Sequence, residues 1–219
     1  MCGRYTLTID PAELQDMLAL GEMPAELHPR YNIAPTQSVP VVTSADDRKV
    51  ELFHWGLIPS WSKDPSMASR MINARAETLH EKPAYRVPFA RKRCLILADG
   101  FFEWKQQGKG KQPFFIHLKS REPFAFAGLW DQWTSPEGEE KRSCSIITCE
   151  PNELMSELHN RMPAILDRET MWDWLDPAAE PIALRALLVP YAKPMAAYPV
   201  SRLVNQPNND SPECVAPEK

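Results

Sequence analysis

Proline breaks this chain almost everywhere that a long regular element would otherwise run. Twenty-two of its 219 residues are proline, about double the average usage of ~5%. They are not gathered into a linker but fall at positions 24, 29, 35, 40, 59, 65, 83, 88, 113, 123 and onward. Between them stand VPVVT, CLILA, PFFIHL, FAFAGLW and SCSIIT. Each is of strand length and rich in β-branched or aromatic residues. Helix signals are fewer. DPAELQDMLAL offers Asp10 as N-cap, Pro11 at the first helical position and Glu13 in the first turn, a good helix start. PNELMSELH and DRETMWDWL, the latter beginning at Asp167, read as two more short helices, and IALRALL as a fourth.

Strands in irregular order with scattered helices predict an α+β fold. The expectation is a single domain with a mostly antiparallel, barrel-like β-sheet core and a few short peripheral helices. There is no internal repeat and no βαβαβ rhythm. The domain is expected to span residues 1–209. From NQPNND onward the sequence turns polar and proline-rich, so 210–219 read as a flexible tail with Cys214 exposed.

Charge and cysteine usage narrow the function classes. The net charge of −4 argues mildly against a nucleic-acid partner, yet it is only an average. Arg70, Arg75, Arg86, Arg91, Lys92 and Arg93 form a basic stretch, while acids gather at 137–140; an acidic protein of that kind can carry a basic face. The five cysteines, Cys2, Cys94, Cys144, Cys149 and Cys214, are an odd number without a disulfide framework, as in a reducing compartment. No run approaches the roughly 20 apolar residues of a membrane span, and no charged-then-apolar leader opens the chain. A cytoplasmic protein is expected. Cys144 and Cys149 have no CxxC partner or nearby histidine pair, whereas zinc needs four converging ligands. No metal is expected. GxxxxGK[ST] and GxGxxG are both absent, so no nucleotide cofactor is expected either.

Several polar residues lie inside apolar or aromatic segments. MINARAET carries Asn73 and Arg75, ADGFFEWK carries Glu103 beside Trp104, and LMSELHNRMPAIL carries His159 and Arg161. Each has an ordinary structural explanation. Asn73 would serve as a turn or cap residue, and Glu103 would face solvent on a strand. His159 would sit at a helix end against its dipole. Trp61 and Trp104 would belong to the core. The N-terminus is less ordinary. MCGRYT places Cys2 directly behind Met1. Removing Met1 leaves a thiol and a free α-amine on adjacent carbons, the amine with a typical pKa of about 7.7–8.0.

Taken together, MCGRYT, RYNIAPTQ, WGLIPSW, MINARAET, CLILADGFFEW, FAFAGLW, IITCEPNELMSELHNRMPAIL and VSRLVNQPNND resemble the SRAP family, the SOS-response-associated peptidase-like proteins that process abasic sites in DNA. The resemblance runs from Cys2 to about Asn209 and implies a chemistry. Met1 is lost, the Cys2 amine condenses with the ring-opened sugar aldehyde, and the thiol closes a thiazolidine on the same carbon. Gly3 would let the backbone approach the sugar. Glu103 would accept or orient the amine proton, His159 would give protons to the sugar oxygen, and Asn73 would hold sugar and amine in line. Arg4, Arg75 and Arg161 would grip phosphates, with Thr148 near the site. Trp61 and Trp104 would offer stacking surface to exposed bases. The implied partner is single-stranded DNA carrying abasic sites, alone or at a junction with duplex, met in the cytoplasm at damaged bacterial nucleoid DNA. Self-removal of Met1 and strand incision by β-elimination belong to the same family picture, and a monomer suffices for all of it. Two other readings of Cys2 stay open: an N-terminal-nucleophile amidohydrolase, and a non-covalent reader of single-stranded or modified DNA.

Overall fold

The computed structural model describes residues 2–218. In chain order its elements are β1 (Tyr5–Leu7), α1 (Pro11–Leu18), β2 (Arg30–Ile33), β3 (Ser38–Val42), β4 (Val50–Trp55), β5 (Asn73–Arg75), α2 (Pro83–Arg91), β6 (Arg93–Ala98) and β7 (Gly100–Gln107). There follow β8 (Gly110–Leu118), β9 (Phe124–Thr134), β10 (Glu140–Cys149), α3 (Glu153–Ser156), β11 (Met162–Pro163), β12 (Ile165–Leu166), α4 (Met171–Leu175), α5 (Pro181–Ala186) and β13 (Met195–Pro199). VPVVT, CLILA, PFFIHL, FAFAGLW and SCSIIT all lie on strands. No helix among the described residues is long and apolar enough to cross a membrane.

Five strands close on themselves. β10 pairs with β4, β4 with β3, β3 with β6, β6 with β9, and β9 returns to β10. Only the β10–β4 pairing of this ring is parallel, so the barrel is mixed but mostly antiparallel, as the sequence predicts. A second, wholly antiparallel sheet runs β13-β8-β7-β1-β2. Tyr5 joins the two. Its ring meets Trp55 at 5.3 Å and Phe126 at 5.5 Å, both edge-on, and all three side chains are fully buried. One continuous core therefore anchors β1, the strand that carries the N-terminus.

Local chemistry explains most element ends. Asp10 accepts from the Ala12 amide at 2.9 Å and Pro11 opens α1. Asn152 caps α3 through the Met155 amide at 2.9 Å. Asp167, expected to begin a helix, instead braces the preceding turn by accepting from the Glu169 amide and the Thr170 hydroxyl, both at 3.1 Å. The helix α2 escapes sequence reading because Pro88 lies inside it. Proline removes a helical hydrogen bond there, but burial of Tyr85 and Phe89 outweighs that loss. Gly100 starts β7 because a Cβ at that position would lie 2.3 Å from the Phe115 ring.

The C-terminal segment corrects an expectation. Cys214 is fully buried, packed with Phe102, Phe115, Val200 and Val204. Asp210 pairs with Arg30 and accepts from the Tyr31 and Asn32 amides at 2.5 and 3.0 Å. The Glu218 amide donates to the Pro199 carbonyl at 2.9 Å. Asp210 thus serves backbone groups of β2. Asp210→Ala should accordingly destabilise the fold by about 2 kcal/mol, the scale of hydrogen bonds to a charged group. Urea unfolding checks this; an unchanged midpoint would show that the segment does not hold β2.

Candidate active site

The antiparallel register of β1 on β7 brings the N-terminus to Glu103. Tyr5 faces Phe101, and the Phe102 amide donates to the Arg4 carbonyl at 2.9 Å. Side chains alternate along β7, so Phe102 and Trp104 project to one face and Glu103 to the other. Glu103 is 3% exposed, which removes the solvent-facing explanation. Cys2 is fully buried. Burial pushes its thiol above the ordinary range, and the negative charge of Glu103 adds to that. The carboxylate and the thiol thus share one low-dielectric space.

Asn73 reaches the same residue from the barrel. Its Nδ2 donates to the Cys2 carbonyl at 2.8 Å. Asn73 opens β5, which pairs in parallel with β10, so Asn73 faces Ile146 and Arg75 faces Thr148. The Tyr85 hydroxyl donates to the Asn73 carbonyl at 3.2 Å. No local signal marks Tyr85, because Pro88 disguises the helix that carries it.

His159 and Arg161 approach from beyond α3. The His159 amide donates to the Met155 carbonyl at 2.8 Å. The Arg161 amide donates to His159 Nδ1 at 3.0 Å. The Arg161 carbonyl lies 3.2 Å from the same nitrogen, so both backbone groups of Arg161 face Nδ1 and hold the ring in place. Arg161 reaches Glu77 with Nη1 at 2.6 Å and Nη2 at 3.0 Å, and Nη2 also donates to the Thr148 carbonyl at 2.6 Å. Thr148 is fully buried and its hydroxyl turns to the Ala74 carbonyl at 3.4 Å.

The remaining arginines differ in kind. Arg4 donates to Asn32 Oδ1 at 2.8 Å and to the Val204 carbonyl at 2.6 Å, and lies 5.9 Å from the Trp104 ring centroid. Trp104 in turn donates to Asn205 at 2.8 Å. Arg75 is exposed, and among the described residues it has no ion pair or side-chain hydrogen bond. Trp61 is 61% exposed. Its loop is pinned by Asp131, which accepts from the Ser60 amide at 2.8 Å, and by Trp133, which donates to the Ser62 carbonyl at 2.7 Å. Among the described residues no hydrogen bond joins that loop to the Cys2 cluster.

Linked contacts thus connect Cys2, Asn73, Glu103, Arg75, Thr148, Arg161 and His159, with Arg4 and Trp104 on the adjoining flank and Trp61 apart. Asn32, Glu77, Tyr85 and Asn205 are further residues of this neighbourhood. Asn32 and Asn205 lie in the stretches RYNIAPTQ and VSRLVNQPNND, and Glu77 in MINARAET; their signal was the length of those motifs, since no single residue there announced a role.

Known proteins match this chain over its full extent. The profile of the SOS response associated peptidase (SRAP) family matches residues 1–207. The abasic site processing protein YoqW of Bacillus subtilis is 46% identical over 221 aligned positions, covering 98% of this chain and 99% of YoqW. The abasic site processing protein HMCES of Gallus gallus is 36% identical, covering 99% of this chain and 78% of that protein. A crystal structure of a protein from Bacteroides thetaiotaomicron superposes with a TM-score of 0.91 at 30% identity, covering all of both chains. With the fold and the motifs agreeing over that span, the chain belongs to the SOS response associated peptidase family.

Proposed function

We propose that this protein processes abasic sites in DNA, and that it does so by trapping the sugar aldehyde on Cys2 as a thiazolidine. One observation carries the reading: the second residue of the chain is the point on which Glu103 and Asn73 converge. A catalytic carboxylate and a positioning amide at a chain terminus suit a terminal amine nucleophile. The names of YoqW and HMCES supply the substrate class.

The steps follow from the groups present. Hydrolysis of the Met1–Cys2 peptide bond frees the Cys2 α-amine. The neutral amine adds to the aldehyde carbon at C1′ of the open sugar, and Glu103 takes the proton released from nitrogen. His159 donates a ring proton to the departing oxygen, so that water leaves and a C=N bond remains. The thiol then adds to the imine carbon while its proton passes to nitrogen. Amine, thiol and aldehyde have become a five-membered ring and one water. Loss of the C2′ proton from the iminium instead expels the 3′ phosphate, which is the β-elimination route to incision. A thiol held protonated by burial and by Glu103 favours the amine as first nucleophile.

Intact-protein mass spectrometry after mixing with abasic single-stranded DNA tests the reading. A DNA adduct mapped to Cys2, one water lighter than the sum of its parts, is expected from protein lacking Met1. Absence of any adduct leaves the non-covalent reader, and hydrolysis of amides without adduct formation leaves the amidohydrolase. Affinity for single-stranded DNA should also fall with salt despite the net charge of −4. Each phosphate gripped contributes about −0.7 to the log–log slope, so Arg4, Arg75 and Arg161 set a limit near about −2. A flat response would make the arginines structural.

A further inference from the structure

We propose that Glu77 is a built-in stand-in for a DNA phosphate, occupying the guanidinium edge of Arg161 in the free protein and yielding it to the strand. The inference rests on Arg161 being a phosphate contact, as proposed above. Donor counting leads to it. Arginine offers five N–H groups, and its bidentate grip on an anion uses two on one edge. In Arg161 the Nη1–Nη2 edge is taken by the two Glu77 oxygens at 2.6 and 3.0 Å. Nη2 is further engaged by the Thr148 carbonyl at 2.6 Å, and Nε is buried without a hydrogen bond. A phosphodiester can therefore obtain a two-point grip only on the edge that Glu77 holds.

The two partners are unequally placed for such an exchange. The Arg161 side chain is 14% exposed and fixed from below by Thr148, whereas the Glu77 side chain is 48% exposed. Glu77 lies in the short turn Ala76–Thr78 directly after β5, next to exposed Arg75. The hydrogen bond to Arg161 holds the Glu77 carboxyl below the usual carboxylate range, so it is an anion throughout the neutral range. It also lines a cavity of about 330 Å³ together with His80, Cys149, Glu150 and Arg185. That space lets the displaced carboxylate turn toward Arg185 and His80, while Glu150 opposes the move. Until a phosphate arrives, Glu77 neutralises Arg161 and keeps affinity for undamaged strands low.

Binding of a labelled oligothymidine across a salt titration tests this without using Cys2. In the wild type, the cation released from the phosphate at Arg161 is offset by one taken up at Glu77, so the expected slope is about −1.4 from the other two arginines. Glu77→Gln removes the offset. Its slope should steepen by about 0.7, with binding about fivefold tighter at low salt, the scale of one exposed charge pair. Glu77→Asp keeps the charge and should keep the wild-type slope, which separates charge from shape. An unchanged slope in Glu77→Gln, or equal weakening by both substitutions at unchanged thermal stability, overturns the inference and makes Glu77 a brace for Arg161. Wild-type protein that binds no oligothymidine at any salt overturns the nucleic-acid reading itself.

Discussion

Cys2→Ala protein with Met1 removed is expected to form no heat-resistant adduct with abasic single-stranded DNA, while retaining some strand incision. Alanine keeps the α-amine, so the Schiff base still forms and still acidifies the neighbouring carbon. Without the thiol the imine has no internal trap, and it hydrolyses or eliminates. The loss should be complete, because no other thiol can substitute. Burial pushes Cys94 and Cys144 up, and pushes Cys149 up to about 12. Cys214 is fully buried in the second apolar cluster, and none of the four is beside a free amine. A blocking residue that retains Met1 should abolish both activities, since it removes the amine. Denaturing gels run before and after heating, with borohydride to capture the imine, read the two outcomes separately. A stable adduct in Cys2→Ala protein would sink the thiazolidine.

The second large effect concerns Glu103 and His159, whose roles should separate by pH. Glu103→Gln keeps shape and hydrogen bonding but cannot take a proton, so adduct formation should slow by ~10²–10⁴, the usual scale for an acid–base group. DNA affinity should hold. His159→Ala should slow ring opening and also reversal, since a donor in one direction is an acceptor in the other. An unperturbed α-amine titrates at about 7.7–8.0. In wild-type protein the rate should rise with pH toward that value, and the thiol, raised by burial and Glu103, stays protonated across the window. Lowering pH protonates the amine, which most harms the variant lacking Glu103, and supplies acid, which partly restores the one lacking His159. Single-turnover cross-linking from about pH 5.5 to 8 decides this. Two profiles of wild-type shape and rate would leave Cys2 and proximity alone to do the chemistry.

Much of the architecture is legible in sequence because its signals are local. A strand such as CLILA between breakers, or Asp10 before Pro11, is decided by neighbours a few residues away, and β6 and α1 lie where those signals put them. The family, too, is carried by ordered motifs along the chain. Three things were decided only by tertiary contacts. Pro88 sits inside α2 because Tyr85 and Phe89 bury against the barrel, an energy that no local propensity contains. The last residues are packed because Asp210 satisfies backbone groups some 180 positions earlier and Cys214 completes an apolar cluster; composition registers polarity but not the partner. Glu103 faces inward at Cys2 because the β1–β7 register sets which side of the strand meets the N-terminus, and a one-residue slip would turn it to the opposite face. Sequence determined which chemical groups the protein owns and which short elements carry them. Only the tertiary pairing of strands far apart in the chain, β5 on β10 in the barrel and β1 on β7 in the second sheet, brings Asn73 and Glu103 to the second residue.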